Sequence, residues 1–296
     1  MGGDPLTISF IGAGKVATSL GLYFAKNNLN ILGFYSRSFD SAKNASQLTG
    51  SKAFKNLKQA LEADLIFITV NDDSINKVAN DISKLKTIYL NKIFVHTSGA
   101  LSSLELSLLQ SETSCTASLH PIQAFTDIKG SVLQLQQTVF SLEGDPQSVK
   151  TLGSVLDQCG NQYFILSKEQ KPLYHASACV LSNYLVTLLG YGFSMLDHMG
   201  LPSELALKSF FPLIESTLDN IKAHGPEDAL TGPISRGDIQ TVHQHLEAFK
   251  KNQFYHTALY KQLGLHTLDL AKKSKLQNKD IAFELSELLK EDHNEK

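Results

Sequence analysis

The chain has 296 residues, 42% hydrophobic and 19% charged, with a formal net charge of -2. This is the composition of a globular protein with room for a substantial core, and it excludes a chain-wide field that would draw nucleic acid or an anionic membrane. Cys115, Cys159 and Cys179 show no CxxC spacing, and no apolar run reaches the about 18 residues that span a bilayer, so a reduced, cytoplasmic setting without a metal site is expected.

Residues 6–11 read as a strand, 15–27 as a helix, 30–35 as a second strand and 41–48 as a second helix. Residues 57–62 form a short helix, 64–70 (DLIFITV) an all-apolar strand, 75–83 a helix and 92–96 the next strand. Further strands are expected at 114–119, 138–142 and 162–166, with a helix at 146–158 between the last two. Strands apolar on both faces and alternating with helices predict a parallel, doubly wound α/β sheet of the Rossmann type. Beyond Ser167 the period changes. Residues 174–199, 202–223, 239–252, 254–273 and 279–289 read as helices, and the tail 291–296 is expected to fray. The predicted organisation is a dinucleotide-binding domain over 1–167 and an all-α substrate and dimerisation domain over 168–296.

The first strand runs into Gly12-Ala13-Gly14-Lys15-Val16-Ala17, a G-x-G-x-x-A turn. Gly12 permits the tight turn, Gly14 lets the backbone approach a pyrophosphate, and Ala17 allows close helix packing. The following helix start, Lys15 and Val16, offers N–H groups and the positive end of a dipole. An NAD site would carry an acid at the end of the second strand; here Ser36-Arg37-Ser38 stand there, and the nearest acid is Asp40. A guanidinium flanked by hydroxyls suits a 2′-phosphate, so NADP(H) is the expected cofactor. Val70, Asn71 and Asp72 close the strand 64–70 on the same edge and are expected to line the cofactor's inner ribose and nicotinamide side.

Four polar clusters remain. His96-Thr97-Ser98-Gly99 ends one strand and Ser118-Leu119-His120-Pro121 another. Lys171, Tyr174, His175, Ser182 and Asn183 lie on the first helix after the boundary, and Gly232-Pro233-Ile234-Ser235-Arg236-Gly237-Asp238 forms a loop between helices. Lys171 and His175 are four apart and share a helix face. Asn183 sits inside an apolar run, where a buried amide needs partners. His243, His245 and His256 lack metal-ligand spacing and read as surface residues.

The segments IGAGKVATSLG, VNDDSI, HTSGAL, SLHPIQAF, LYHASACVLSNYL and TGPISRGD, in that order, resemble a Rossmann-like oxidoreductase family whose C-terminal domain is catalogued as of unknown function. The resemblance runs from about residue 6 to 285. Some members of that family are alternative ketopantoate reductases of pantothenate synthesis, so the resemblance implies NADPH-dependent reduction of a small 2-oxo acid by a homodimer. Hydroxyisobutyrate-type dehydrogenases and ordinary ketopantoate reductases place a Lys and, four residues later, an Asn on the equivalent helix. Lys171 matches, His175 replaces the Asn, and the proton donor is either of them, with Asn183 as a third catalytic candidate. Ser98, Gly99, His120 and Arg236 are the expected substrate contacts, and His96 is expected beside the cofactor. The alternatives are a reductase of another oxo acid or of a cyclic imine such as pyrroline-5-carboxylate, and an NADP(H)-binding sensor without chemistry.

Overall fold

In a computed structural model, residues 5–85, 90–254 and 256–290 are described; the tail 291–296, expected to fray, lies outside them. Eight strands form one sheet: β1 (Thr7–Ile11), β2 (Asn30–Tyr35), β3 (Lys52–Phe54), β4 (Leu65–Ile68), β5 (Ile93–His96), β6 (Cys115–Pro121), β7 (Phe140–Gly144) and β8 (Tyr163–Ile165). Their order is β3-β2-β1-β4-β5-β6-β7-β8. The central strands β4 and β5 are buried at every residue, as strands covered on both faces must be.

Two apolar clusters cover the two faces of this sheet. On one face pack α1 (Lys15–Lys26), α2 (Phe39–Thr49), α5 (Ile128–Leu135) and α6 (Pro146–Cys159), through residues such as Leu20, Phe24, Ala45, Leu135 and Leu156. On the other pack α3 (Leu57–Ala60), α4 (Asp72–Ser83) and a 3-10 turn, Ser103–Leu109, through Ala60, Ile75, Ala79 and Leu106. The fold is therefore the expected doubly wound α/β sheet, with one departure. β6 and β7 are antiparallel, so the sheet is mixed where an all-parallel one was predicted. α5 and a turn return the chain to the end of the sheet where β6 finished, and β7 must then run back.

The parallel pairings end level. Ile11 pairs with Ile68, Ile68 with His96, and His96 with Ser118. The loops after β1, β4, β5 and β6 thus leave from one edge, on either side of the point where strand order reverses between β1 and β4. Ligands of open α/β sheets bind at such points.

After β8 the chain is helical: α7 (Lys171–Cys179), a π-helical turn (Val180–Tyr184), α8 (Leu185–His198), α9 (Ser203–Ala229), α10 (Pro233–Arg236), α11 (Ile239–Lys251), α12 (Thr257–Ser274) and α13 (Lys279–Leu289). α9 is broken at Gly225, whose φ of 78° no helix accommodates. The segment 232–238, read as a loop, holds the single turn α10 between Gly232 and the left-handed Gly237. Two compact units result, one reaching Leu188 and one starting at Leu189. The first passes Ser167 because the opening turns of α7 pack on the sheet. The second has its own core, with Val242, Leu268, Ala271, Leu285 and Leu289 at its centre.

One expectation from composition needs correction. Lys171–His198 is a continuous helical stretch of 28 residues containing an 18-residue window of mean hydropathy 1.4, long and apolar enough, by length and composition alone, to cross a membrane. Scattered Ser, Thr, Asn and Gly residues had broken the apolar run in the sequence. Its N-terminal turns are anchored on the sheet through Lys171, which is 1% exposed.

Candidate functional site

Gly12 ends β1 with a φ of 115°, and its N–H donates to the carbonyl of Tyr35 at 2.8 Å. A Cβ there would fall 2.4 Å from the carbonyl oxygen of Thr69, so only glycine closes this turn. Gly14 caps α1 without a side-chain hydrogen bond, and a Cβ on it would meet nothing within 4 Å. The space over it is open. With Ala13, Lys15 and Val16, Gly14 frames a helix start whose N–H groups are unclaimed by any side chain, a ready anion site. At the end of β2, Ser36 is half-buried and Arg37 and Ser38 are exposed; Ser38 also caps α2 by accepting from Ser41 N–H at 3.4 Å. These residues fit a dinucleotide with a phosphate on its adenosine ribose. Val70 and Asn71 follow β4 on the same edge, and Asn71 caps α4 by backbone alone.

The segment 95–101 closes on itself. His96 is fully buried; its Nε2 lies 3.0 Å from the carbonyl oxygen of Ser102, and its Nδ1 accepts from Ser98 N–H at 3.2 Å. A carbonyl can only accept, so Nε2 carries the proton and the ring is neutral. Burial pushes His96 down to about 4, opposed by the Ser102 contact and reinforced by the charge of Lys171. The Ser98 hydroxyl donates to Asp72 at 2.8 Å and accepts from the N–H groups of Ala100 and Leu101 at 3.2 and 3.0 Å. Both side chains are thus spent on the loop. His96 was expected to flank the cofactor, Ser98 to hold substrate and Asp72 to line the cofactor; the side chains of the first two are hydrogen-bonded within this loop and to Asp72, which is itself exposed on the same edge.

Lys171 reaches under this loop. Its ammonium donates to the carbonyl oxygen of Ser98 at 3.0 Å and to the Ser118 hydroxyl. Burial lowers it to about 8, against the pull of Glu143 and Asp72. Glu143, 4% exposed on β7, accepts from the backbone N–H and hydroxyl of Ser103 at 2.7 and 2.8 Å. Lys171 is therefore an internal cation beneath the site, tying α7 to β5 and β6. Neither Ser118 nor Glu143 was assigned a role from the sequence. The usable signal was an acid on a strand that otherwise reads as core.

Above the loop, two imidazoles converge. A Cβ on Gly99 would lie 2.8 Å from His175 Nδ1 and 2.9 Å from His120 Nε2. The rings are 6.3 Å apart at an interplanar angle of 78°. Gly99 has no positive φ, so its glycine is required by space: the nitrogens occupy the place a side chain would fill. His120 Nδ1 is hydrogen-bonded to the Tyr174 hydroxyl at 2.7 Å. His175 Nδ1 is buried without a hydrogen-bond partner, and its Nε2 lies 3.6 Å from Cys179 Sγ. Burial takes His120 down to about 4, helped by the charges of Lys171 and His175. Tyr174 lies one turn from Lys171 on α7, and nothing in the sequence pattern marks its hydroxyl as a partner of His120.

Asn183 does not join this group. It lies on the π-helical turn, exposed in the single chain like its neighbours Leu181 and Tyr184. Arg236 is an exposed residue of the second unit, at the end of α10. The three cysteines are free and half-buried, and among the described residues no group of three His, Cys, Asp or Glu could hold a metal ion.

Comparison with known proteins gives two domain matches. Residues 3–121 match the model of a Rossmann-like domain, and residues 138–267 match that of a domain of unknown function, DUF2520. No curated protein matches. Among solved structures, protein TM1727 from Thermotoga maritima is 29% identical, covers 91% of this chain and 100% of its own, and superposes with a TM-score of 0.72. An imine reductase from Pseudomonas sp. is 16% identical over 97% of this chain and 100% of its own, with a TM-score of 0.62. A pyrroline carboxylate reductase from Plasmodium falciparum, solved with NADP bound, is 17% identical over 98% of this chain and 100% of its own, with a TM-score of 0.57.

Proposed function

We infer that this chain, in which a Rossmann-like domain is followed by a DUF2520 domain, is an NADPH-dependent reductase of a small oxo acid. Gly12 to Val16 would hold the cofactor's pyrophosphate, Ser36, Arg37 and Ser38 its 2′-phosphate, and Val70 and Asn71 the remainder along the edge. When bound, the cofactor supplies a hydride. The protein's part is to hold a carbonyl group against the imidazoles over Gly99 and to provide the proton that a new alkoxide requires. Lys171, closed off below the loop, sets the charge of the site, while His120 and His175 face the substrate.

The observation that carries this reading is the meeting of His120 Nε2 and His175 Nδ1 over Gly99, on the sheet edge that also bears the glycine turn. Reduction of a ketone must end with protonation of oxygen, and two imidazoles at one point suit that need. Ketopantoate is the first candidate because the sequence motifs resemble a family with ketopantoate reductases, which would place the protein in pantothenate biosynthesis. A cyclic imine is the second reading, since pyrroline carboxylate and imine reductases share this architecture. The decisive experiment follows NADPH oxidation by the purified protein with ketopantoate, other 2-oxo acids and 1-pyrroline-5-carboxylate. Tight NADPH binding with no turnover of any of these leaves a sensor instead of an enzyme.

A homodimer through the helical region is part of the same proposal. Leu181, Tyr184 and Val186 are 76%, 64% and 71% exposed along one helical stretch. Apolar residues exposed in such density are what an association surface uses. Sedimentation at micromolar concentration should give twice the mass of the chain; a monomer there overturns the dimer.

A further inference from the structure

We propose that Tyr174 and His120 form a proton relay, in which the Tyr174 hydroxyl fixes the His120 tautomer and supplies the proton that His120 passes from Nε2 into the site. The proposal rests on the reductase reading and goes beyond it by naming the acid and the residue behind it.

Three observations carry it. The Tyr174 hydroxyl lies 2.7 Å from His120 Nδ1, on the ring side away from Gly99, while Nε2 is 2.9 Å from the point above Gly99. Lys171, one of the two proton donors considered from the sequence, is 1% exposed and has two of its N–H groups committed to Ser98 and Ser118. The charged and titratable groups facing His120 are Lys171, His175 and Tyr174; burial, helped by the charges of the first two, favours its neutral ring. A neutral imidazole has no surplus proton. It gives up the proton on one nitrogen only if the other nitrogen gains one in the same motion, and the Tyr174 O–H stands where that proton must come from.

The substrate carbon takes a hydride from NADPH, which becomes NADP⁺, and the carbonyl π pair moves onto oxygen. That oxygen bonds the proton of His120 Nε2 as Nδ1 takes the proton of the Tyr174 hydroxyl. The pair is left as a phenolate and a neutral imidazole protonated at Nδ1, and a solvated proton restores it. Tyr174 acts through His120 and does not itself touch substrate. It is a positioning and proton-supplying residue.

The test has two arms. Nitrogen-15 NMR of histidine-labelled protein near neutral pH should show wild-type His120 as the Nε2–H tautomer, and Tyr174→Phe should abolish that preference while His96 stays unchanged. In turnover, Tyr174→Phe and His120→Gln should each lower kcat by about 10²–10⁴-fold with NADPH affinity preserved. The double variant should be no slower than either single one, because the two act as a unit. An Nδ1–H tautomer in wild type, undiminished turnover by Tyr174→Phe, or additive losses in the double variant overturn the relay. If wild type binds NADPH and reduces nothing, the reductase reading falls with the chemical step, and the tautomer still decides whether Tyr174 positions His120.

Discussion

The Lys171 ammonium donates to the main-chain oxygen of Ser98 at 3.0 Å, so a single internal cation joins α7 to the loop that carries Gly99. The same charge lowers both His96 and His120. Lys171→Met keeps most of the side chain's volume and removes the charge. It should let His120 titrate above its present value of about 4, closer to the ordinary histidine value, as read by NMR pH titration of the ring. It should also cost about 1–3 kcal/mol of stability, because a buried carbonyl and hydroxyl lose their donor. An unmoved His120 titration would show that burial alone keeps the ring neutral.

His96 makes stability depend on pH. Its folded value of about 4 lies below the ordinary 6.5, so the folded protein binds fewer protons than the unfolded chain between those limits. Stability from this group is complete above pH 6.5 and declines as pH falls from there toward 4, by about 3 kcal/mol in all. Urea denaturation across that interval should show the decline, and His96→Gln should remove this group's share of it, leaving that of His120, which burial also takes down to about 4, while lowering stability at neutral pH. A wild-type profile level between pH 7 and 4 contradicts the buried, neutral assignment.

Gly99→Ala tests whether the meeting of the rings matters. The added methyl would stand 2.8 Å from His175 Nδ1 and 2.9 Å from His120 Nε2, so at least one ring must move. Both side chains can rotate, and the fold should hold to within about 1 kcal/mol by urea denaturation. Turnover should fall at least tenfold with NADPH affinity unchanged. Wild-type turnover would mean that substrate sits elsewhere on the edge.

Arg37→Ala addresses the cofactor. The exposed guanidinium at the end of β2 touches nothing that the fold needs, so stability should be unaltered. Fluorescence titration should show NADPH binding weakened at least tenfold and NADH binding unchanged. Equal weakening of both would remove Arg37 as the reader of the 2′-phosphate.

The sheet and most helices were legible because burial leaves a mark on composition. β2 was predicted at its observed limits and α13 likewise. β3 escaped because only Phe54 of its three residues is buried, and α5 because Gly130 and Ser131 dilute its apolar period. The direction of β7 was invisible, since an apolar run has no polarity. The site was legible as a neighbourhood and illegible in its roles. His96 and His120 both end strands on one edge, yet the carbonyl of Ser102 turns the first inward and Tyr174 holds the second by the ring side away from Gly99. Only tertiary geometry separates them.

The burial of Lys171 has a practical consequence. An amine at 1% exposure is shielded from acylating reagents for as long as α7 stays seated, whereas surface lysines react at once. Its slow labelling, followed residue by residue in a mass spectrometer, therefore counts the moments when that helix lifts from the sheet. A ligand that seals the edge should slow that clock, whichever molecule it proves to be.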